Sequence, residues 1–430
     1  MNTRKIICLV LTIILCFGLF AGCAPKVTED IPLETTADGR IDYKNAEFMV
    51  AWWGADARHN YTMEALEIFD KQFVNLRTSV VYSGWGDYFS TVIDISMAGG
   101  NPPDIFQITY DKIPAYAAAN KLMKLDDYIA SGAIDTSNIE ESAIQMGAYA
   151  GNVYGIATGV STSVYAYSNT DALLAGVTLS RTPTLDEVVA AAKKMYAFNG
   201  KKIYIELTDY VRMRGYSFYN EDGTEIGFPA QILADWWKFE KQAIEEGWYV
   251  GPKDGIDSMN TGFIEGKVWF LPMAANQIAS LETNAKLDVE WIAVPTAENK
   301  AASFTQPNTL WVVSASCKRP ELAIALINFF THNTEYFDLA GVDRGIPISS
   351  AMQEYLDPTL EDTDKLQIKI MSKLAELNAF GPMPASSVND SKAKQELTDY
   401  NQLNKYGRIA ESDMLATAEE AIEAMNFVLG

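Results

Sequence analysis

Two segments combine aromatic rings with charged groups in a spacing suited to holding a ligand by non-covalent contacts. The first segment, Trp52-Trp53-Gly54-Ala55-Asp56-Ala57-Arg58, ends an apolar run at residues 47–53. Trp53 offers a flat apolar face, Asp56 offers hydrogen-bond acceptors and Arg58 offers donors. A second segment, Ser83-Gly84-Trp85-Gly86-Asp87, follows the apolar residues 78–82 and adds Trp85. The same residues also fit a buried tryptophan and a helix-capping aspartate.

The chain offers few groups for covalent or metal chemistry. It has two histidines, His59 and His332, and no His/Cys cluster with the spacing of metal ligands. It also lacks the GxSxG, P-loop and GxGxxG motifs. Cys8 and Cys16 precede Cys23 near the N-terminus, and Cys317 stands alone in an apolar stretch. We therefore expect no cofactor, no metal and no disulfide in the mature protein.

Apolar periodicity predicts an α/β architecture that positions these segments. Strand-like residues 47–53, 78–82 and 104–108 alternate with helical patterns at 60–75 and 88–97. Because ligands of open α/β sheets lie beyond the carboxyl ends of the strands, the two aromatic segments are expected at one such edge. A second unit starts after Tyr154-Gly155. Its predicted strands are 162–167, 203–207, 267–271 and 310–315, and its predicted helices are 185–196, 230–246, 320–330 and the C-terminal tail.

The N-terminus predicts export. Arg4 and Lys5 precede an apolar run from Ile6 to Phe20, which is too short for a comfortable membrane span. The run ends in Leu19-Phe20-Ala21-Gly22-Cys23, which resembles a bacterial lipobox. Lipidation at Cys23, as palmitate or related acyl chains, would then anchor the mature protein to the outer face of the cytoplasmic membrane. An ordinary signal peptide with a chance cysteine is the alternative.

Composition limits the classes of partner. The 430 residues include 34 Lys and Arg against 56 Asp and Glu, for a net charge of −22. Nucleic-acid binding is excluded as an expectation because phosphates require a basic surface. The acidity also disfavours anionic substrates, although one local basic pocket could override it.

Several ordered segments resemble one family. They include Gly99-Gly100-Asn101-Pro102-Pro103-Asp104-Ile105-Phe106, Gly151-Asn-Val-Tyr-Gly-Ile-Ala-Thr-Gly-Val, Pro183-Thr-Leu-Asp-Glu, Phe263-Ile-Glu-Gly-Lys and Ser314-Ala-Ser-Cys-Lys-Arg-Pro-Glu-Leu-Ala. In that order they resemble the extracellular solute-binding proteins of ABC sugar importers, the family 1 type that includes maltodextrin and multiple-sugar binders. The resemblance covers about residues 47–430.

The resemblance implies a fold and a function. The fold would be two-lobed and periplasmic-binding-protein-like (type II), each lobe a mainly parallel sheet flanked by helices, with hinge strands between them. The function would be capture of a carbohydrate by hinge closure and delivery to a membrane ABC permease, by a monomer that is not an enzyme. The implied domains are a signal peptide (1–22), a lipidated N-terminus with a flexible tether (23–46), lobe 1 (47–157 with 303–335) and lobe 2 (158–302 with 336–430).

The resemblance also adds candidate sugar contacts. Tyr110 and Asp111 follow the third strand, where maltodextrin binders keep an acidic ligand. Ser161 and Thr162 lie near the implied hinge, although strand-end capping explains them equally well. Asn276 stands where the family often has a tryptophan, and Trp236, Trp237 and Trp269 either compensate or lie in the core. The remaining candidates are Asn308, before the strand with Trp311, and Arg344, on a loop that commonly reaches the cleft.

Three alternatives remain open from the sequence. One is a binding protein for a non-sugar solute, such as glycerol phosphate or a polyamine, because Arg58, Lys112 and Arg344 suit an anion while acidity and aromatic rings suit a cation. Another is a lipid-anchored glycan-active enzyme, which would need two carboxylates at a defined separation. The third, a surface adhesin, usually shows repeated β modules, which are absent here.

Overall fold

A computed structural model describes residues 33–256, 258–282, 286–296 and 301–430. The predicted signal peptide, Cys23 and residues 24–32 lie outside the described residues. Within the described part of the chain, no helix is long and apolar enough to cross a membrane. The chain divides into a small unit, containing residues 33–46 and 72–76 among those described, and a larger unit, residues 47–71 and 77–430.

The small unit contains a β-hairpin where the sequence predicts a tether. Strand β1 (Glu34–Thr35) pairs antiparallel with Ile41 and Asp42 of strand β2 (Ile41–Trp53). The turn closes because the Thr36 hydroxyl accepts from the Arg40 backbone N–H at 3.1 Å, with Gly39 at a positive φ of 86°. The ring of Tyr43 packs edge-on against Phe73 at 5.3 Å. Among the described residues, regular structure begins at Glu34, twelve residues before the predicted end of the tether.

The larger unit is built on a mixed sheet. Its strands run in the order β2-β4-β11-β7-β9-β8, with β3 beside β2 and with β10 and β12 beside β7. Their bounds are β3 (Phe73–Ser83), β4 (Ile105–Ile108), β5 (Ala148–Tyr149), β6 (Asn152–Val153), β7 (Gly155–Ser168), β8 (Lys202–Ile203), β9 (Val268–Ala274), β10 (Val289–Ile292), β11 (Thr305–Val313) and β12 (Ile346–Pro347). The short strands β5 and β6 form a separate hairpin.

The expectation of mainly parallel sheets is wrong. The β2–β4 and β8–β9 pairs are parallel, but β11 pairs antiparallel with β4 and β7, and β9, β10 and β12 pair antiparallel with β7. The reason is that the long strands β7 and β11 run against the strands that they join. The two-lobed α/β fold class itself is confirmed.

Strand β7 connects the two lobes. Its first half, Gly155–Thr162, pairs with β11, and its second half, from Ser163 to Ser168, pairs with β9 and β10. Gly159 permits a close crossing in the first half, because a Cβ there would lie 2.5 Å from the Arg344 carbonyl oxygen. The first lobe thus holds β2, β3, β4, β11 and β12, and the second holds β8, β9 and β10.

Helices flank both groups of strands. Those of the first lobe are α1 (Asp56–Asp70), α2 (Trp85–Asp87), α3 (Asp94–Ala98), α4 (Ile113–Ala118), α5 (Asp126–Ala130), α6 (Glu141–Gln145), α13 (Pro320–His332), α14 (Thr334–Ala340) and α15 (Ser350–Leu356). Those of the second lobe are α7 (Asn169–Ala175), α8 (Leu185–Asn199), α9 (Leu207–Met213), α10 (Ala230–Glu245), α11 (Met259–Ile264), α12 (Ala275–Ser280), α16 (Asp364–Glu376), α17 (Asp390–Lys405) and α18 (Met414–Leu429). A π-helical turn, Tyr88–Ile93, joins α2 to α3.

Helices α14 and α15 belong to the first lobe, although the sequence places residues 336–430 in the second. The ring of Tyr336 on α14 packs against Phe330 at 5.0 Å, and Phe329 packs against Phe69 of α1 at 5.5 Å. The second lobe resumes with α16, whose Ile370 and Leu374 join its core. The packing of α14 therefore places the boundary between the two lobes after residue 356, where α15 ends.

The tryptophans left open by the sequence lie in the core. Trp236, Trp237 and Trp269 belong to the main core of the second lobe and are at most 3% exposed. Trp311 is buried in β11 and stacks on Phe330 at 4.6 Å. None of the four is available as a plate for a ligand.

Candidate ligand-binding site

A cavity of about 360 Å³ lies where elements of both lobes meet. The first lobe contributes Tyr110 and Asp111, because β4 ends at Ile108 and the chain turns into a 3₁₀ turn at Tyr110–Lys112. The second lobe contributes Glu206 to Arg212 around helix α9. Further walls come from Phe218 and Tyr219, from Phe304 and Gln306 at the start of β11, and from residues 384–394. The cavity therefore lies beside a crossing strand.

A second cavity, of about 540 Å³, shares a wall with the first. The shared residues are Tyr110 and Pro384-Ala385-Ser386. Its other walls include Met146 and Tyr149 from the first lobe, and Glu221 and Met383 from the second. We call these two adjoining cavities the paired cavities. Each volume lies within the range of about 300–1,000 Å³ that is usual for ligand pockets.

Several carboxylates line the first cavity. Tyr165 donates a hydrogen bond from its hydroxyl to Asp209 Oδ2 at 2.7 Å. Burial, with the neighbouring charge of Glu206, raises the pKa of Asp209 to about 7. Burial also raises the pKa of Glu206, whose carboxylate accepts a 3.4 Å hydrogen bond from the Thr208 hydroxyl. The carboxylates of this cavity thus lose much of the hydration that stabilises a negative charge.

Asp390, at the start of α17, also lines the first cavity. Its Oδ1 accepts from the Tyr219 hydroxyl at 2.8 Å and forms an ion pair with Lys394 Nζ at 2.9 Å. Asp390 is 6% exposed, so the pair fixes the start of the helix against the aromatic wall.

Arg212 holds two backbone segments together beneath the cavity. Its Nε and Nη2 donate to the Ala302 carbonyl oxygen at 3.0 and 2.9 Å, and Nη2 also donates to the Pro382 carbonyl at 3.1 Å. The guanidinium lies 4.6 Å from the centre of the Phe304 ring. Burial lowers the pKa of Arg212. Its donors are thus largely committed to the residues that lead into β11.

Of the residues predicted as sugar contacts, Tyr110 and Asp111 line the paired cavities. Trp53 and Trp85 form an aromatic cluster elsewhere on the first lobe. Trp53 is 6% exposed and packs edge-on against Trp85 at 5.1 Å, and Trp85 is 56% exposed. Phe89 completes the cluster, and its ring centre lies 5.8 Å from Lys112 Nζ. Neither tryptophan lines the paired cavities.

Asp56 and Arg58 lie outside the paired cavities. Asp56 is exposed in the first turn of α1. Arg58 donates from Nε to Asp343 Oδ2 at 2.8 Å. It also donates from Nη2 to the backbone carbonyl oxygen of Asp343 at 3.1 Å. The arginine also lowers the pKa of Asp343 against the effect of burial. The guanidinium of Arg58 is therefore engaged within the first lobe.

Arg344 is a buried structural residue. It is 3% exposed, and its Nη1 donates to Gln107 Oε1 at 2.9 Å while Nη2 donates to the Thr62 hydroxyl at 3.1 Å. Both partners belong to the first lobe, so the arginine fixes the loop before β12 onto β4 and α1. This differs from the predicted ligand contact, and Arg344 does not line the paired cavities.

Ser161 and Asn276 contact each other and do not line the paired cavities. The Ser161 hydroxyl donates to Asn276 Oδ1 at 3.0 Å, joining β7 to the start of α12. Thr162 is fully buried and donates to the Phe304 carbonyl at 3.1 Å. Asn308 lies at an irregularity of β11, between the partners Pro307↔Val160 and Thr309↔Gly159. Such bulges re-aim side chains near binding sites.

Residues 64–367 match the family described as bacterial extracellular solute-binding protein. The chain belongs to this family. The match covers more than two thirds of the sequence and confirms the resemblance drawn from its motifs. The solute-binding protein is thus a member of an extracellular family.

Solved structures of other solute-binding proteins share its fold. An oligogalacturonide-binding protein from Yersinia enterocolitica, in complex with digalacturonic acid, is 20% identical with a TM-score of 0.77, covering 89% of this chain and 100% of that chain. A substrate-binding protein from Listeria monocytogenes, in complex with cycloalternan, is 20% identical with a TM-score of 0.72, covering 88% and 98%. The GacH receptor of Streptomyces glaucescens, studied with acarbose, is 15% identical with a TM-score of 0.70, covering 88% and 98%.

Most of the cavity wall in this solute-binding protein was missed by sequence reasoning. Helix α9 was predicted as the end of a strand at 203–207, yet β8 stops at Ile203 and Leu207 begins the helix. Glu206, Thr208 and Asp209 were not predicted, although the rule that ligands gather after strand ends could have found them, because they follow β8. The wall at 384–386 carries one signal, an irregular stretch Pro382-Met383-Pro384 between two helices.

Proposed function

We propose that this protein captures an oligosaccharide in the paired cavities and delivers it to a membrane ABC permease. The observation that carries the proposal is a polar and aromatic cavity beside the crossing strands β7 and β11, in a chain of the solute-binding family. The adjoining second cavity gives room for more than one ring. Three structural neighbours bind or were studied with oligosaccharides or their analogues.

The lining suits the two surfaces of a sugar. Tyr110 and Phe218 supply apolar faces for C–H groups. Asp111 and Glu206 supply acceptors for hydroxyls, and such charge-assisted hydrogen bonds are stronger than neutral ones. Asp111 comes from the first lobe and Glu206 from the second. A ligand that touches both therefore bridges the lobes.

Bridging provides the transport mechanism. A ligand that binds the closed arrangement better than the open one shifts the population toward closure. Strand β7, residues 302–306 and the segment between α15 and α16 connect the lobes covalently, and these connections bend as the lobes close. The closed surface then docks on the permease, whose own ATPase subunits supply the energy. In this proposal the protein acts as a monomer and catalyses no reaction.

An anchor at Cys23 supports the same function. The lipobox-like residues 19–23 place a cysteine at the start of the mature chain. Each buried methylene of an acyl chain contributes about 0.8 kcal/mol, so several chains hold the protein at the membrane. Tethering raises its effective concentration near the permease. We include lipidation and location on the outer face of the cytoplasmic membrane in the proposal.

One observation favours a second candidate, a glycan-cleaving enzyme. A carboxyl group with a raised pKa beside other carboxylates is the arrangement of a glycosidase, and Asp209 has a pKa of about 7 beside Glu206. Yet Tyr165 donates directly to Asp209, and membership of the solute-binding family favours binding without cleavage.

A thermal-shift panel with recovery of the glycan tests both candidates. The full chain in detergent is heated with mono- and oligosaccharides. Each sugar is then recovered and its mass is measured by mass spectrometry. Ligand at 100 times its Kd adds about 2.7 kcal/mol of stability, a shift of a few degrees. A shift with the sugar intact supports the transporter component. A cleaved sugar supports the enzyme, and no shift with any sugar contradicts both.

A further inference from the structure

The first cavity has an imbalance of charge. Among the described residues, its lining contains the carboxylates Asp111, Glu206, Asp209 and Asp390 and the cations Arg212 and Lys394. The carboxylates come from three parts of the chain, namely the turn after β4, helix α9 with the residue before it, and the start of α17. The imbalance is thus a property of the closed cleft and not of one acidic stretch.

Both cations already have partners. Arg212 donates to the carbonyl oxygens of Ala302 and Pro382 and lies over the Phe304 ring. Lys394 pairs with Asp390 at 2.9 Å. Lys112, next to Asp111 in sequence, points toward Ser391 Oγ at 3.4 Å and the Phe89 ring, and it does not line the cavity. Both cations that line the cavity are therefore held by groups of the protein.

The carboxylates of Asp209 and Glu206, by contrast, have neutral partners. Asp209 accepts from the Tyr165 hydroxyl, and Glu206 accepts a long hydrogen bond from Thr208. Buried charges in proteins are normally paired, because desolvation without a counter-charge is costly. Burial raises the pKa of both groups. The cations Arg212 and Lys394 act on Asp209 and Glu206 only through space, because Arg212 donates to backbone carbonyls and Lys394 forms its ion pair with Asp390.

Aromatic rings surround the same space. Tyr110 lies on the first-lobe side, and Phe218, which packs against Tyr219 at 4.9 Å, lies on the second-lobe side. An aromatic face attracts a cation through its quadrupole, most strongly where water is excluded. The rings and the carboxylates therefore favour the same kind of group, a cation attached to an organic ligand.

We infer that the first cavity takes a ligand bearing a protonated amine, held between Asp111, Glu206 and Asp209. On the proposed function, on which this inference rests, the ligand is an amino-sugar oligosaccharide. A linear polyamine presents the same ammonium chemistry and is the other source to be distinguished. A uronic-acid oligosaccharide, the class bound by the Yersinia relative, would meet like charge and is rejected.

Calorimetry with matched ligands tests the inference on the full chain. The pairs differ by a hydroxyl or an amine at one carbon of each ring: cellobiose with the corresponding disaccharide of glucosamine, and galactose with galactosamine. Spermidine and digalacturonic acid complete the panel. We expect an amine-bearing sugar to bind at least about tenfold more tightly than its hydroxyl twin, because a charge-assisted contact replaces a neutral one. Raising the salt concentration should reduce this preference.

Three variants locate the effect. Glu206→Gln and Asp209→Asn each remove one charge and keep a polar side chain of similar size, so they should reduce the preference for the amine more than they reduce binding of the neutral twin. Glu419→Gln, on an exposed position of α18, removes the same charge far from the cavity and should leave the preference unchanged. Circular dichroism checks that each variant is folded.

Each outcome decides the inference. A neutral twin that binds as tightly as its amine overturns it while the sugar function stands, and so does digalacturonic acid as the best ligand. Spermidine binding without any sugar binding supports the inference and overturns the proposed function. Binding of none of these ligands overturns both.

Discussion

The guanidinium of Arg212 donates two hydrogen bonds to a single acceptor, the backbone carbonyl oxygen of Ala302, from Nε at 3.0 Å and from Nη2 at 2.9 Å. Ala302 lies three residues before β11, the strand that crosses into the first lobe. Arg212 also lines the ligand cavity. The wall of the cavity and the start of a crossing strand are therefore joined by one side chain.

Replacing Arg212 by lysine should lower stability. Lysine keeps the charge but loses the planar fork, so it cannot reproduce the contacts to both Ala302 and Pro382. Loss of hydrogen bonds to a charged group costs about 1.5–3 kcal/mol. Urea unfolding measures the change, with Arg214→Lys, a more exposed position of the same helix end, as the control. Equal stability of the two variants would contradict the role given to Arg212.

Asp111→Asn should weaken binding of the best oligosaccharide at least about tenfold, since a charge-assisted acceptor is lost. Asp56→Asn is the matched control, because Asp56 is exposed on α1 and does not line the paired cavities. Calorimetry gives both Kd values. If the two substitutions have the same effect, the site does not lie at Asp111.

The second cavity predicts a dependence on ligand length. Tyr149 of the β5–β6 hairpin lines the second cavity and not the first. Tyr149→Ala should weaken the longest bound oligosaccharide by roughly tenfold, in keeping with the loss of about 1–1.5 kcal/mol of aromatic contact. The shortest bound sugar should be unaffected. Tyr216→Ala, at an exposed tyrosine outside both cavities, is the control. A uniform loss at all lengths would contradict the two-cavity account.

Asp209 predicts a pH-dependent stability. Its pKa is about 7 in the folded protein and about 3.9 in an unfolded chain. Between these values the folded state keeps a proton that the unfolded state has released, so the free energy of unfolding falls as the pH rises through this window. Asp209→Asn should therefore gain up to about 4 kcal/mol over the wild type at about pH 8, and nothing near about pH 4. Unfolding curves at both values, without ligand, test this. A gain that is the same at both would show that ionisation is not its cause.

Arg344 should matter for stability and not for affinity. Arg344→Met removes the donors to Gln107 and Thr62 and leaves these buried groups without that partner. The expected cost is about 1–3 kcal/mol of unfolding free energy. Sugar affinity should stay within about twofold, because the residue contacts the first lobe alone. A large loss of affinity without a loss of stability would show that Arg344 takes part in ligand binding.

Local signals in the sequence predict several of the longer elements of the fold. The predicted helix at 185–196 is α8, which begins with a capping box of Thr184 and Glu187, and the predicted helix at 320–330 is α13, which begins at Pro320. The pairing of the strands was harder to predict from the sequence than the positions of these helices. An apolar run such as β4 does not reveal that its neighbour β11 arrives antiparallel, because direction depends on contacts between residues about 200 positions apart.

The site was predicted only in part, for physical reasons. Tyr110 and Asp111, which line the candidate site, were predicted because they follow a strand directly. Arg58 and Arg344 have the residue type of a ligand contact, but their partners Asp343 and Gln107 are distant in sequence. No local pattern distinguishes a guanidinium that is already bound from one that is free. The wall around α9 depended on where β8 ends, and short apolar runs leave that boundary ambiguous.

Native mass spectrometry of the full chain with a panel of oligosaccharides tests the central claim most directly, because it reports both the complex and the mass of the ligand within it. The account predicts a one-to-one complex whose added mass equals that of the intact oligosaccharide, and loss of that complex in Asp111→Asn. Absence of a complex with every oligosaccharide, or a complex carrying only cleavage products, would contradict it.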